Sequence, residues 1–273
     1  MKKLNLYILL LLLLLFASGC QFKLSSDSVD NNSPLLHIER FDRLEYLYLT
    51  IGDFSAFQRM NTEYPIETRT LIEDVIQIGD ATDSDINSKF LKFYQDTTLQ
   101  SLISSVESEF ANVSDLNAQF NTAFTNLKSA IPDIAIPRIY SQISALNQSV
   151  VVGNGTIGIS LDKYLGVNYP LYKRYYPLFQ RKYMTRNYIV SDCLSFYLMS
   201  LYPLPNFEKR PQVERDLHVG KIQWVVNQVL KSKVYRNRYV RSVERYMTQG
   251  HHSYEELFKL SDFSKFKLFD CAN

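Results

Sequence analysis

Residues 149–166 read SVVVGNGTIGISLDKYLG, and this stretch decides the fold. Two runs rich in β-branched residues flank Gly153-Asn154-Gly155, a combination that predicts a hairpin turning at those residues. After Ile159 the chain enters SLDKYLG, where Ser160 or Asp162 can cap a short turn ending at Gly166. Just upstream, RIYSQIS (138–144) has the same strand-like composition. On both sides of this region the apolar residues fall at helical spacing. The expected fold class is therefore α+β, mainly helical around one small sheet. The sequence has no repeat at the periods of solenoids.

Toward the N-terminus, FDRLEYLYL (41–49) places Phe41, Leu44, Leu47 and Tyr48 on one helical face. IETRTLIEDVIQIG (66–79) stops at Gly79. Asp85 can cap a short helix through Tyr94, and Asp96 can cap TTLQSLISSVESEF (97–110). In SDLNAQFNTAFTNLKSAIP (114–132), Ser114 reads as the cap and Pro132 as the stop. Leu116, Phe120, Ala123, Phe124, Leu127 and Ile131 form one apolar stripe along it. Toward the C-terminus, YPLFQRKYM (176–184) precedes TRNYIVSDCLSFYLMSLYPLP (185–205), a strongly apolar helix that Pro203 and Pro205 terminate. Pro211 opens PQVERDLHVGKIQWVVNQVLKSK (211–233) at a position where proline is tolerated. Two shorter helices, Arg238–Met247 and Tyr254–Leu260, are expected to finish the domain.

The chain begins MKKLNLYILLLLLLLFASGC (1–20). The apolar run from Leu4 to Ala17 is shorter than the roughly 20 residues that span a bilayer. Lys2 and Lys3 supply the positive flank of a secretory signal, and Leu9 to Leu15 its apolar centre. Ala17, Ser18 and Gly19 lead into Cys20, and this ending resembles a bacterial lipobox, in which the cysteine is acylated and becomes the new N-terminus. The organisation that follows is a signal peptide over 1–19, a flexible polar tether over 20–34, and a single domain over 35–273. Residues Gln21 to Asn32 are too polar to bury a core. Gln21 is not the aspartate of inner-membrane retention, which favours the outer membrane.

The formal charge of +2 disappears when the two lysines of the signal are lost. The neutrality hides an asymmetry. From Cys20 to Asp162 acidic residues outnumber basic ones roughly two to one, and from Lys163 to Arg245 basic residues outnumber acidic ones roughly three to one. The two halves could neutralise each other by packing, or the basic one could face anionic lipid or an acidic partner. Nucleic acid is not an expected partner of an exported lipoprotein. Of the 3 cysteines, Cys20 is consumed by lipid. Cys193 and Cys271 are left, and they either pair in an oxidising compartment or leave Cys193 as a buried free thiol.

The usual catalytic signatures are missing from the sequence. Its 4 histidines, His37, His218, His251 and His252, have no metal-binding spacing. His218, one turn after Glu214, reads as a solvated helix pair. There is no nucleophile elbow and no phosphate-binding loop, and the glycines of GNGTIG belong to a hairpin. No cofactor is expected. Asp192 stands apart because it lies within IVSDCLSFYL, where a buried carboxylate needs partners. Lys221 or an arginine is the expected partner.

The order of IPRIYSQIS, TIGISLDKYLG, MTRNYIVSDCL and VGKIQWVVNQVL resembles the gliding-motility lipoprotein family GldB of Bacteroidetes. The likeness runs from Leu36 to Leu230, with Gly158–Gly166, Tyr188–Asp192 and Gly220-Lys221 its most specific pieces. The family is in turn distantly similar to zincin-type metalloproteases. That similarity implies a zincin-like fold from which the metal motif has been lost. The H-E-x-x-H positions fall on Ser191, Asp192 and Ser195, and hydroxyls are poor zinc ligands beside imidazole. A vestigial cleft formed by Ser191, Asp192, Ser195, Asp162 and Lys221 is then expected, with Asp192 on its floor. The lack of an acidic run after Cys20, a mark of surface export in many Bacteroidetes lipoproteins, favours the periplasmic face.

Three functional readings stand at this point. The first is a non-catalytic outer-membrane lipoprotein, scaffold or accessory of an envelope machine, with envelope proteins as partners. The second is a ligand-binding lipoprotein using KYLGVNYPLYKRYYPLFQRKY (163–183). The third is a zincin-derived hydrolase.

Overall fold

A computed structural model describes residues 35–250 and 252–266. Cys20, where acylation is expected, the expected signal and tether segments, His251 and Cys271 lie outside the described residues.

The hairpin forms where the sequence places it. Strands β3 (Val150–Gly153) and β4 (Thr156–Ser160) pair antiparallel, and Asn154 (φ 51°) and Gly155 (φ 72°) make the turn in the left-handed region. β4 also pairs with β2 (Arg138–Gln142), here in parallel, and β2 pairs in parallel with β1 (Ile38–Glu39). The sheet order is β1-β2-β4-β3. All five residues of β4 are buried, as befits a strand hydrogen-bonded on both sides and covered on both faces. Tyr140 of β2 lies opposite Gly158 of β4. A Cβ at Gly158 would sit 2.5 Å from the Tyr140 ring, so only glycine lets the phenol lie across the central strand.

Strand β1 was not expected. It has only two residues, and its pairing is supplied from far along the chain. The Ile38 N–H donates to the Asn117 side chain (2.9 Å), and the Leu36 N–H to that of Asn121 (2.8 Å).

Six helices separate β1 from β2. They are α1 (Phe41–Tyr46), α2 (Phe54–Glu63), α3 (Pro65–Arg69), α4 (Ile86–Tyr94), α5 (Thr97–Glu109) and α6 (Ser114–Ala130). α1 and α3 each continue as a π-helical turn, over Leu47–Ile51 and Thr70–Val75. Asp96 caps α5 by accepting the N–H groups of Thr98 and Leu99. Asp85 takes the corresponding position before α4 but pairs with Lys89 (2.9 Å) instead of capping. Ser114 is the first helical residue of α6 rather than its cap, and Asn112 accepts its N–H (2.8 Å). The stripe from Leu116 to Ile131 is buried throughout.

After β4 come a 3₁₀ turn (Leu161–Lys163) and α7 (Pro170–Tyr175), α8 (Leu178–Arg181), α9 (Ile189–Leu201), α10 (Gln212–Val229), α11 (Arg238–Gly250) and α12 (Tyr254–Lys259). α9 is buried against β3 and β4 on one side and α6 and α10 on the other, which explains why its sequence is apolar nearly all round. α11 packs on α10 at Gly220, where a Cβ would meet that of Tyr239 at 2.8 Å. The acidic and basic halves are bridged by Arg186 and Asp115, while the other ion pairs described here run within one half.

Candidate functional site

Three elements meet at Asp192. α9 carries Asp192 in its first turn and Ser195 one turn later. Tyr164 arrives from the 3₁₀ turn that follows β4, and Tyr235 from the connection between α10 and α11. The Tyr164 hydroxyl donates to one Asp192 oxygen (2.9 Å) and the Tyr235 hydroxyl to the other (3.2 Å). The hydroxyls of Ser195 and Tyr235 are 3.1 Å apart, and Ser195 donates to the Ser191 carbonyl (2.7 Å).

The position of Tyr235 is set by the buried Asn227 of α10. Asn227 accepts the Tyr235 N–H (3.0 Å) and donates to the Tyr235 carbonyl (2.8 Å). The phenol is thus aimed at Asp192 by a side chain one helix away.

Burial pushes the Asp192 carboxyl up to about 6, against the pull of the two tyrosine hydroxyls, which favour the charged form. Both tyrosines stay protonated, with Tyr164 held well above its ordinary value by burial and then by the neighbouring carboxylate. Asp192, Ser195 and Tyr235 line a cavity of about 400 Å³, whose walls include Phe196 and Met199 of α9 and Ile222 of α10.

The other expected cleft residues are distributed differently. Ser191 borders the cluster: its hydroxyl donates to the Tyr188 carbonyl (2.9 Å) and adds to the hydrogen bonding felt by Tyr235. It also lines a second cavity, of about 430 Å³, between α6, α9 and α10. Asp162 is fully buried on the other side of the turn. Its carboxylate accepts the N–H groups of Ser144 (2.9 Å) and Leu146 (2.6 Å), and pins a loop in which Ala145 and Leu146 have positive φ. That role anchors backbone and leaves Asp162 outside the Asp192 cluster.

Lys221 does not meet Asp192. Its ammonium donates to the Leu260 carbonyl (2.9 Å) and lies over the Phe263 ring, and burial lowers it to about 8. The reason is helical phase. Ile222 and Gln223 line the Asp192 cavity, whereas Lys221 lies about 100° from Ile222 and about 160° from Gln223 around the helix and faces the C-terminal segment. His218, one turn earlier, is also buried rather than solvated. Its imidazole is depressed to about 4 by burial and then by Lys221, while Glu214 pairs with Arg210.

The residues at the H-E-x-x-H positions do not fit a zinc site. The hydroxyls of Ser191 and Ser195 donate to carbonyls, and both Asp192 oxygens are taken by tyrosines. Among the described residues no group of three or more His, Cys, Asp or Glu side chains is placed to hold a metal ion. Among the described residues Cys193 has no disulfide partner; it is buried, and burial raises its thiol well above the ordinary value.

Tyr164 and Tyr235 were not singled out by the sequence. Burial of Asp192 requires donors, but a chain with 19 tyrosines gives no local signal of which ones reach it. The requirement itself was the only available clue.

Fold and site together define a mainly helical α+β protein whose central buried helix carries a carboxylate held by tyrosines. The family model described as gliding motility protein GldB matches residues 24–237, and the chain belongs to that family. No curated protein and no solved structure matches the chain.

Proposed function

We propose that the chain is a non-catalytic lipoprotein, held at the outer membrane by acylated Cys20, that serves as scaffold or accessory of an envelope machine for gliding or secretion. Membership of the GldB family supports the motility connection. The observation that carries the non-catalytic reading is the engagement of Asp192: both oxygens accept tyrosine hydroxyls, and serines occupy the flanking ligand positions. Among the described residues no helix is long and apolar enough to cross a membrane, so this reading relies on the lipid. Gln21 and the lack of an acidic run after Cys20 support the periplasmic face of the outer membrane. The partners are other envelope proteins.

The cavity beside Asp192 favours a second reading, ligand binding. A zincin-derived hydrolase would instead need Asp192 as its base, and a carboxyl near 6 is suited to that work. Allele replacement separates these readings from the first. Asn at position 192 keeps the shape and can still accept the Tyr164 hydroxyl. The scaffold reading expects a folded Asp192→Asn protein to complement a deletion strain fully. Loss of function in that folded variant would assign the cluster a chemical or binding task and overturn the non-catalytic assignment.

A further inference from the structure

The segment from α7 to Tyr183 exposes apolar surface that the fold leaves uncovered. Tyr175, Leu178, Phe179 and Tyr183 are 61%, 53%, 66% and 53% exposed. Lys173 and Arg174 directly precede them, Lys182 falls between Phe179 and Tyr183, and no acidic residue occurs between Lys163 and Asp192. Among the described residues none of these three cations has an acidic partner.

This surface is held rigidly. Tyr172, fully buried beneath it, donates to the Asp162 carbonyl and accepts the Leu165 N–H (3.0 Å). Arg181 donates to the carbonyls of Val167 (2.8 Å) and Tyr176 (3.1 Å). Lys163 ties the Tyr176 hydroxyl (3.1 Å) to the Leu146 carbonyl (3.0 Å). These contacts fix the two short helices while the rings and cations above them face outward, so little ordering entropy remains to be lost on contact.

We propose that α7, α8 and Tyr183 seat on the anionic surface of a lipid bilayer. Tyrosine and phenylalanine mixed with lysine and arginine is the composition of an interfacial membrane contact. A protein interface would deplete lysine at its centre, whereas here the exposed Lys173 and Lys182 lie within two residues of the exposed Tyr175 and Tyr183 along the chain. The basic side chains would lie against acidic headgroups and the rings at the headgroup–acyl boundary.

The test places a nitroxide on Gln180→Cys, between the exposed Phe179 and Arg181, with Gln58→Cys on α2 as control. Both variants are made in the full acylated chain carrying Cys271→Ser, and Cys193 is buried and unreactive. The protein is reconstituted into phosphatidylethanolamine vesicles containing phosphatidylglycerol and, separately, into pure phosphatidylcholine. The ratio of oxygen to nickel-chelate accessibility at residue 180 should rise severalfold in the anionic vesicles, while residue 58 stays in water. Lys173→Glu with Lys182→Glu should return residue 180 to water without releasing the anchored chain. Should the chain carry no lipid, the proposal still requires it to float with the anionic vesicles and not the neutral ones. A residue 180 that remains in water on anionic vesicles, or is equally shielded on neutral ones, overturns the proposal.

Discussion

Asp192 is one of the buried carboxyls through which the molecule responds to pH. Its folded carboxyl, near 6, lies above the roughly 3.9 of an unfolded aspartate. The folded state therefore binds the proton more tightly, and the contribution of Asp192 to stability is greatest below about pH 4. It is lost as pH rises through about 6, by about 3 kcal/mol in total. Burial raises Glu45 and Asp162 as well, so wild-type stability alone mixes several groups. The difference between wild type and Asp192→Asn isolates one. Denaturant melts across this range should show that difference falling with pH and flattening above 7. A difference that does not change with pH would mean that Asp192 is not desolvated.

The same residue tests the separation from Lys221. The two side chains share no partner, so Asp192→Asn and Lys221→Met should add within about 0.5 kcal/mol. A coupling of several kcal/mol in a double-mutant cycle would restore the ion pair that the sequence suggested. Burial of Asp192 was legible because IVSDCLSFYL is apolar on both sides. The identity of its partners was not. α10 mixes polar and apolar residues all round, so nothing in QVERDLHVGKIQWVVNQV tells which face meets α9 and which meets the C-terminal segment.

At the scale of elements, the helices and the hairpin could be read because their signals are local: a 3.6-residue stripe in α6, turn residues between β3 and β4, prolines around α9 and α10. β1 could not, since two residues carry no period and the asparagines that hold them come from α6. Nor could the parallel pairing of β2 with β4, which places β4 inside the sheet. That pairing gives Gly158 its meaning. Gly158→Ala should drive the Tyr140 ring from the central strand and cost about 1–3 kcal/mol, the usual range for overpacking. Tyr140→Val should recover part of this loss, because a smaller neighbour removes the clash. Thermal melts of the two single variants and the double variant measure the recovery. A Gly158→Ala protein as stable as wild type would show that the ring does not lie across the strand.

For the whole molecule, family membership sets the biological setting, and the described domain supplies a rigid body with a cavity, a tyrosine-held carboxylate and a basic aromatic face. A place in an envelope machine requires that this body be fixed to the membrane, and the proposal assigns that task to Cys20. Labelling cells with a fatty-acid analogue, followed by fractionation of wild type and Cys20→Ser, tests this most directly. Acylation at Cys20 gives a labelled wild-type chain in the membrane fraction, and a Cys20→Ser chain that carries no label and is largely lost from that fraction. Undiminished membrane attachment of an unlabelled Cys20→Ser chain would contradict it.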